Sequence, residues 1–206
     1  MEDVRELKSV LERVEGRLIA AGKLYGAMNF AVWLAIMLLY YVMLGLFQPD
    51  WRFNFLYWPL GFAVAMAFTG RIWGRLKRLG RVTGREIESS PLAGILIGLS
   101  WATGIVLGWI IVPGLNPGVT EEASLATGFL TFIAFSVFAM WLVMAGFNPK
   151  NGEREIIPAF LIPALGIPRS TGMAEGAIVW AGFVVAAGFS LTILWYLYSA
   201  FRAIER

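Results

Sequence analysis

The sequence predicts an all-α protein: a polytopic integral membrane helix bundle of six transmembrane segments, with a short proline-broken fifth, preceded by an N-terminal amphipathic helix. Two observations lead there. Of 206 residues 58% are apolar and only 15% are charged, where a water-soluble domain carries about 25% charge. The 31 charges are also cleared from blocks of membrane-spanning size, at 24–49, 53–70, 89–120, 123–149, 156–168 and 176–201. A cytosolic enzyme, a nucleic-acid-binding module and a disordered tail do not fit that pattern.

Residues 1–23 hold ten charges, five of each sign, and no apolar core before a small-residue cleavage site, so no secretory signal is expected there. Val4, Leu7, Leu11, Val14, Leu18 and Ala21 recur at steps of three and four, which lines up one stripe on a helix. This helix, residues 1–23, forms one expected domain, and residues 24–206 form the bundle. Its stripe suits a protein partner or a second copy of the chain through residues 4–21, and equally a helix lying on the membrane surface.

The spans are expected at about 24–47, 54–70, 91–112, 122–147, 156–168 and 175–201. The first is 24 residues, slightly more than the ~30 Å hydrocarbon layer requires, and Pro49 follows it. Trp51, Tyr57, Trp58 and Trp73 flank the second as headgroup-level rings. Ser90 and Pro91 open the third as cap and first residue, and Thr120 with Glu121 and Glu122 opens the fourth. Pro158, Pro163 and Pro168 interrupt the fifth, which must be shielded by protein, short and tilted, or re-entrant, because unpaired carbonyls are costly in hydrocarbon. Ser170 and Thr171 are expected to cap the sixth.

With six crossings and both termini inside, 15 of the 17 Lys and Arg face the cytoplasm and two face outward. That is the positive-inside distribution expected of a multi-pass cell-membrane protein. Six cations fall in one stretch: Arg71, Arg75, Lys77, Arg78, Arg81 and Arg85. Interleaved with Ile72, Trp73, Leu76, Leu79 and Val82, they give a helix one basic and one apolar flank. Anionic headgroups of the cytoplasmic leaflet, or an acidic partner, are the expected contacts, and the same charges also set topology.

The chain has no Cys and no His, so the thiolate and imidazole ligands of most metal and haem sites are missing. No metal site, cofactor, catalytic residue or nucleic-acid partner is expected. The paired carboxylates Glu121/Glu122, Glu86/Glu88 and Glu153/Glu155 have structural explanations as helix-end or cation-neutralising acids. No acid or base falls inside a span, which leaves Asn29 as the main strongly polar side chain there. Gly70/Gly74, Gly94/Gly98 and Gly104/Gly108 are small pairs four apart, expected to serve helix packing within the chain.

The leading functional expectation is a non-catalytic membrane subunit or partner-binding scaffold working through its basic cytoplasmic face. The alternative is a channel or facilitator for a small or apolar solute, its cavity lined by Asn29, Pro158, Pro163 and Pro168. A lipid-headgroup enzyme using Arg71, Arg75 and Arg78 is the third.

Overall fold

This computed structural model describes residues 2–47, 50, 52–82, 90–115 and 119–205, with side chains except at 2–9, 44, 45 and 82. Six helices and two short 3-10 turns, with no strand, make up the regular structure of the described residues. They are α1 (Glu2–Phe47), α2 (Phe53–Val82), α3 (Pro91–Leu115, widening to π turns over Leu107–Ile111), α4 (Glu121–Met144), α5 (Ile157–Thr171) and α6 (Ala177–Ile204).

Five helices, all but α5, are long and apolar enough to cross a membrane. Of the six expected segments, five meet that measure; the short fifth, α5, has 15 residues and reaches only about 22 Å. The outer faces of the five carry large apolar side chains in the open, such as Val179 at 72%, Phe55 at 70% and Ile110 at 66% exposure. Water-soluble monomers seldom expose apolar surface on that scale. The fold class is thus that of a helical membrane protein.

The chain divides into two compact units, one of Met1–Glu88 with Ile193–Arg206, the other of Ser89–Thr192. In the first unit, the expected junctions at residues 23/24 and 70/71 fall inside continuous helices. No proline interrupts α1, and its interior glycines each cost only about 1 kcal/mol of helix propensity. Pro59 is the sole proline in α2. Both helices therefore run on past their apolar stretches.

The helices α1 and α2 are antiparallel. Tyr57 Oη donates to the Ile36 carbonyl at 2.6 Å and Tyr40 Oη donates to Asn54 Oδ1 at 2.6 Å. Further along, Trp33 meets Phe62 and Tyr25 meets Trp73, with centroids 6.0 and 5.3 Å apart. The end of α6 lies antiparallel on α1: the Tyr196 ring packs on Gly26 and the Ala203 carbonyl on Gly16, each so close that a side chain would collide.

In the second unit α4 is buried along most of its length, with Ala123, Ala126, Leu130, Ile133, Val137 and Trp141 among its covered residues. Helix α3 crosses it antiparallel where Gly108 and Gly128 meet backbone to backbone; a Cβ on either would strike the other's carbonyl. The π turns coincide with that crossing. Gly104 lies over Ser136 in the same seam. Gly94 and Gly98, expected to pack as well, have no neighbour within 4 Å of where a Cβ would stand.

Helix α5 returns along α4, since Phe160 meets Phe138 and Trp141 at 5.4 and 5.6 Å while Ser170 Oγ lies 2.9 Å from Thr127 Oγ1. Pro163 and Pro168 do not break it. Gly188 of α6 seats against the Pro158 carbonyl and the Pro163 ring, and Pro163 is fully buried. Protein thus covers the backbone where proline has removed a donor.

Two end signals differ from expectation. Ser170 and Thr171 finish α5, where their hydroxyls donate to the Ile167 carbonyl. The first turn of α6 is capped from another helix instead, with Ile178 N donating to Glu122 Oε1 at 3.2 Å. The last α4 residue is Met144, three before the expected 147, because Gly146 and Phe147 turn to φ +62° and +59°.

The glycine contacts generate a stability prediction. Gly108→Leu or Gly128→Leu should lower stability by at least ~1–3 kcal/mol, since the helices must separate. Gly98→Leu should leave thermal unfolding of the detergent-solubilised protein within about 0.5 kcal/mol of wild type.

Candidate functional site

The C-terminal third of α2 is where charge, shape and exposure coincide. At about 100° per residue, Thr69, Leu76 and Gly80 fall on one side of the helix, and all three are buried. Trp73, next to them, stacks obliquely on Tyr25 of α1. Arg71, Arg75, Arg78 and Arg81 fall on the opposite side, and all four are exposed. Amphipathic spacing therefore orients the cations: α1 takes the apolar flank and leaves the basic flank outward.

These arginines border an open depression whose other lining residues are Gly70 and Gly74. Neither glycine would bring a Cβ within 4 Å of any neighbour, so the floor is bare backbone with free space above it. Arg78 Nε donates a long hydrogen bond, 3.4 Å, to the Gly74 carbonyl. That bond turns the guanidinium over the floor. Lys77 departs from the group, since its ammonium lies over the Trp73 ring at 5.5 Å. Arg85 lies outside the described residues.

Four guanidiniums around a shallow floor can do one thing well. Each offers a planar fork of donors matched to phosphate or carboxylate oxygens. Among the described residues no carboxylate lines the depression.

The residues expected to line a solute cavity are described each within its own unit. Pro163 is buried against Gly188, Pro158 is half-buried, and Pro168 is exposed. Asn29 is half-buried on α1, in the other unit. No cluster of three or more acids, the pattern a metal ion would need in a chain without Cys or His, occurs among the described residues.

Two features escaped sequence reasoning. Gly70 and Gly74 were expected to pack a helix, whereas they form the floor between the arginines; the available signal was their one-residue offset from Arg71 and Arg75. The second is a groove between α1 and the end of α6, lined by Glu12, Glu15, Gly16, Ile19, Ser199, Arg202 and Ala203. It depends on residues from opposite ends of the sequence and has no local signature.

Comparison with protein-family models, curated proteins and solved structures finds no match to this chain.

The two flanks of α2 should respond differently to substitution. Leu76→Ala removes a buried side chain and should cost about 2–5 kcal/mol. The double variant Arg75→Gln/Arg78→Gln alters only exposed groups and should stay within about 0.5 kcal/mol in the same thermal melt.

Proposed function

We propose that this protein is a non-catalytic scaffold or membrane subunit of the cell membrane that crosses it six times and binds a protein partner on its cytoplasmic side. The carrying observation is that α1, α2 and the end of α6 form a charged helical cluster continuing beyond the apolar segments. Residues 2–23 of α1 extend about 33 Å and residues 71–82 of α2 about 18 Å past their uncharged stretches. Helices needed only as membrane packing would end near the boundary.

The reading of six crossings is supported by direction rather than length. Antiparallel contact of α1 with the end of α6 brings residues 16 and 203 together, which fits an even number of passages. Five long helices alone would be odd. We take α5 as the sixth, since it retraces α4 from the level of Trp141 to that of Thr127. The lysine and arginine distribution favours the side bearing both termini and the α2 arginines as cytoplasmic.

The partner surface is the α1 side of this cluster. Leu11 at 60% and Val10 at 47% exposure are open apolar residues of α1, and Ile19 at 46% lines the α1–α6 groove together with Glu12, Glu15 and Arg202. Apolar anchors within a charged rim suit a protein contact. The channel alternative remains a second reading, with Pro163 buried against Gly188.

Two experiments test this reading. The chain lacks cysteine, so Arg78→Cys and Val119→Cys give single-site reporters. A membrane-impermeant maleimide on intact cells should label the Val119→Cys protein and spare the Arg78→Cys protein until permeabilisation; the reverse would invert the topology. In native membranes, Val10→Glu/Leu11→Glu should abolish a chemically crosslinked complex seen with wild type while leaving thermal stability unchanged. A protein that runs alone in both forms would defeat the scaffold role.

A further inference from the structure

The arginine face of α2 carries a cost that topology does not explain. A glycine inside an exposed helix costs about 1 kcal/mol against alanine, and Gly70 and Gly74 each stand where a Cβ would touch nothing. Gly22, Gly94, Gly98 and Gly114 are open in the same way, so openness alone marks no site. Gly70 and Gly74 differ in what surrounds them: Arg71, Arg75, Arg78 and Arg81, all exposed, border the same depression. Bare backbone among four guanidiniums leaves room for an anion to come close from outside.

Charge decides among the occupants. A second copy of the chain docking through the Gly70–Gly74 pair would bring two sets of Arg71, Arg75, Arg78 and Arg81 face to face, and like charges at short range oppose that. An apolar helix would strip water from four guanidiniums without supplying acceptors. An anion with several oxygens satisfies the forks, and the absent side chains let it approach the helix surface.

Depth decides the source. Gly70 closes the uncharged stretch of α2, and Arg71 follows it directly. Trp73 and Tyr25 stack at the same level, as rings at the headgroup boundary do. Lys77 is engaged on Trp73 and the four arginines point the other way. We propose that Gly70, Arg71, Gly74, Arg75, Arg78 and Arg81 form a binding site for the phosphate group of an anionic phospholipid in the adjoining leaflet, a phosphomonoester headgroup above all. A monoester presents more charge and more free oxygens than a diester, matching several guanidiniums instead of one. Only the side of the membrane assigned to this leaflet rests on the functional reading above.

The test uses the full chain in a neutral detergent, titrated with short-chain phosphatidic acid, with phosphatidylcholine of equal chain length, and with inorganic phosphate. Native mass spectrometry counts the bound lipid, and Trp emission follows the soluble ion. Phosphatidic acid should bind about tenfold or more tighter than phosphatidylcholine, the range of one to two charge-assisted contacts. Gly74→Leu, which keeps every charge and fills the floor, should weaken it about tenfold, while Gly94→Leu should not. Replacing Arg71, Arg75 and Arg78 together by Lys should weaken it several-fold, because the charge stays and the planar fork is lost.

Equal affinity for both lipids, or an unchanged Gly74→Leu titration, would overturn the site and leave diffuse charge. Equally tight binding of inorganic phosphate would overturn the lipid as its source, and tighter binding of an acidic peptide would overturn phosphate as its chemistry. None of these outcomes depends on sidedness, which the Arg78→Cys labelling reports separately. Failure here is therefore distinguishable from failure of the scaffold reading.

Discussion

A peptide group in hydrocarbon has no water to bond, and this constraint governs the fold. It keeps the backbone helical wherever the chain is apolar. It also explains how α5 carries Pro163 without breaking: Gly188 brings α6 down onto the weakened stretch, and Pro163 is sealed from outside. With little hydrophobic drive between helices in such surroundings, close backbone approach and interhelical hydrogen bonds take over. Gly108 on Gly128, Gly26 beneath Tyr196 and the Tyr40–Asn54 bond are examples.

The same ladder of hydrogen bonds gives the molecule its reach. A helix that has formed across the apolar layer is already nucleated, and adding turns beyond it needs no new nucleus. The sequences of α1 and α2 contain nothing after the boundary strong enough to stop this. What changes at the boundary is the chemistry of the exposed flank. Leucine and phenylalanine give way to arginine, while the inner flank continues apolar through Trp73, Leu76 and Gly80. Membrane-inserted and aqueous parts are thus two lengths of one rod, and the orientation of the basic face is inherited from the way α2 packs below it.

Much of this was legible in the sequence. Charge-free blocks located α3, α4, α6, the end of α1 and the start of α2 to within a few residues, and the steps between Arg71, Arg75 and Arg78 showed that they share a flank. Helix continuity was harder to see, because charge marks a change of surroundings and not a change of backbone. The roles of small residues were harder still. Gly94/Gly98 and Gly104/Gly108 look alike along the chain, yet only the second pair meets a partner. Which glycine is covered depends on where another helix crosses, and that is a property of tertiary structure. The Glu122 cap on α6 was hidden for the same reason: it joins residues that are distant in sequence.

The meeting of Gly16 with Ala203 also has a consequence in time. These residues are about 190 positions apart, and the entropic toll of such a long closure grows only slowly with length, so equilibrium is little affected. Biosynthesis is affected much more. Once made, α1 holds an unfilled seat at Gly16 and Gly26 until Tyr196 and Ala203 have been translated. Through the synthesis of everything between them the nascent chain therefore displays a vacant groove, open to chaperones and to proteases alike, which closes only when the end of α6 arrives.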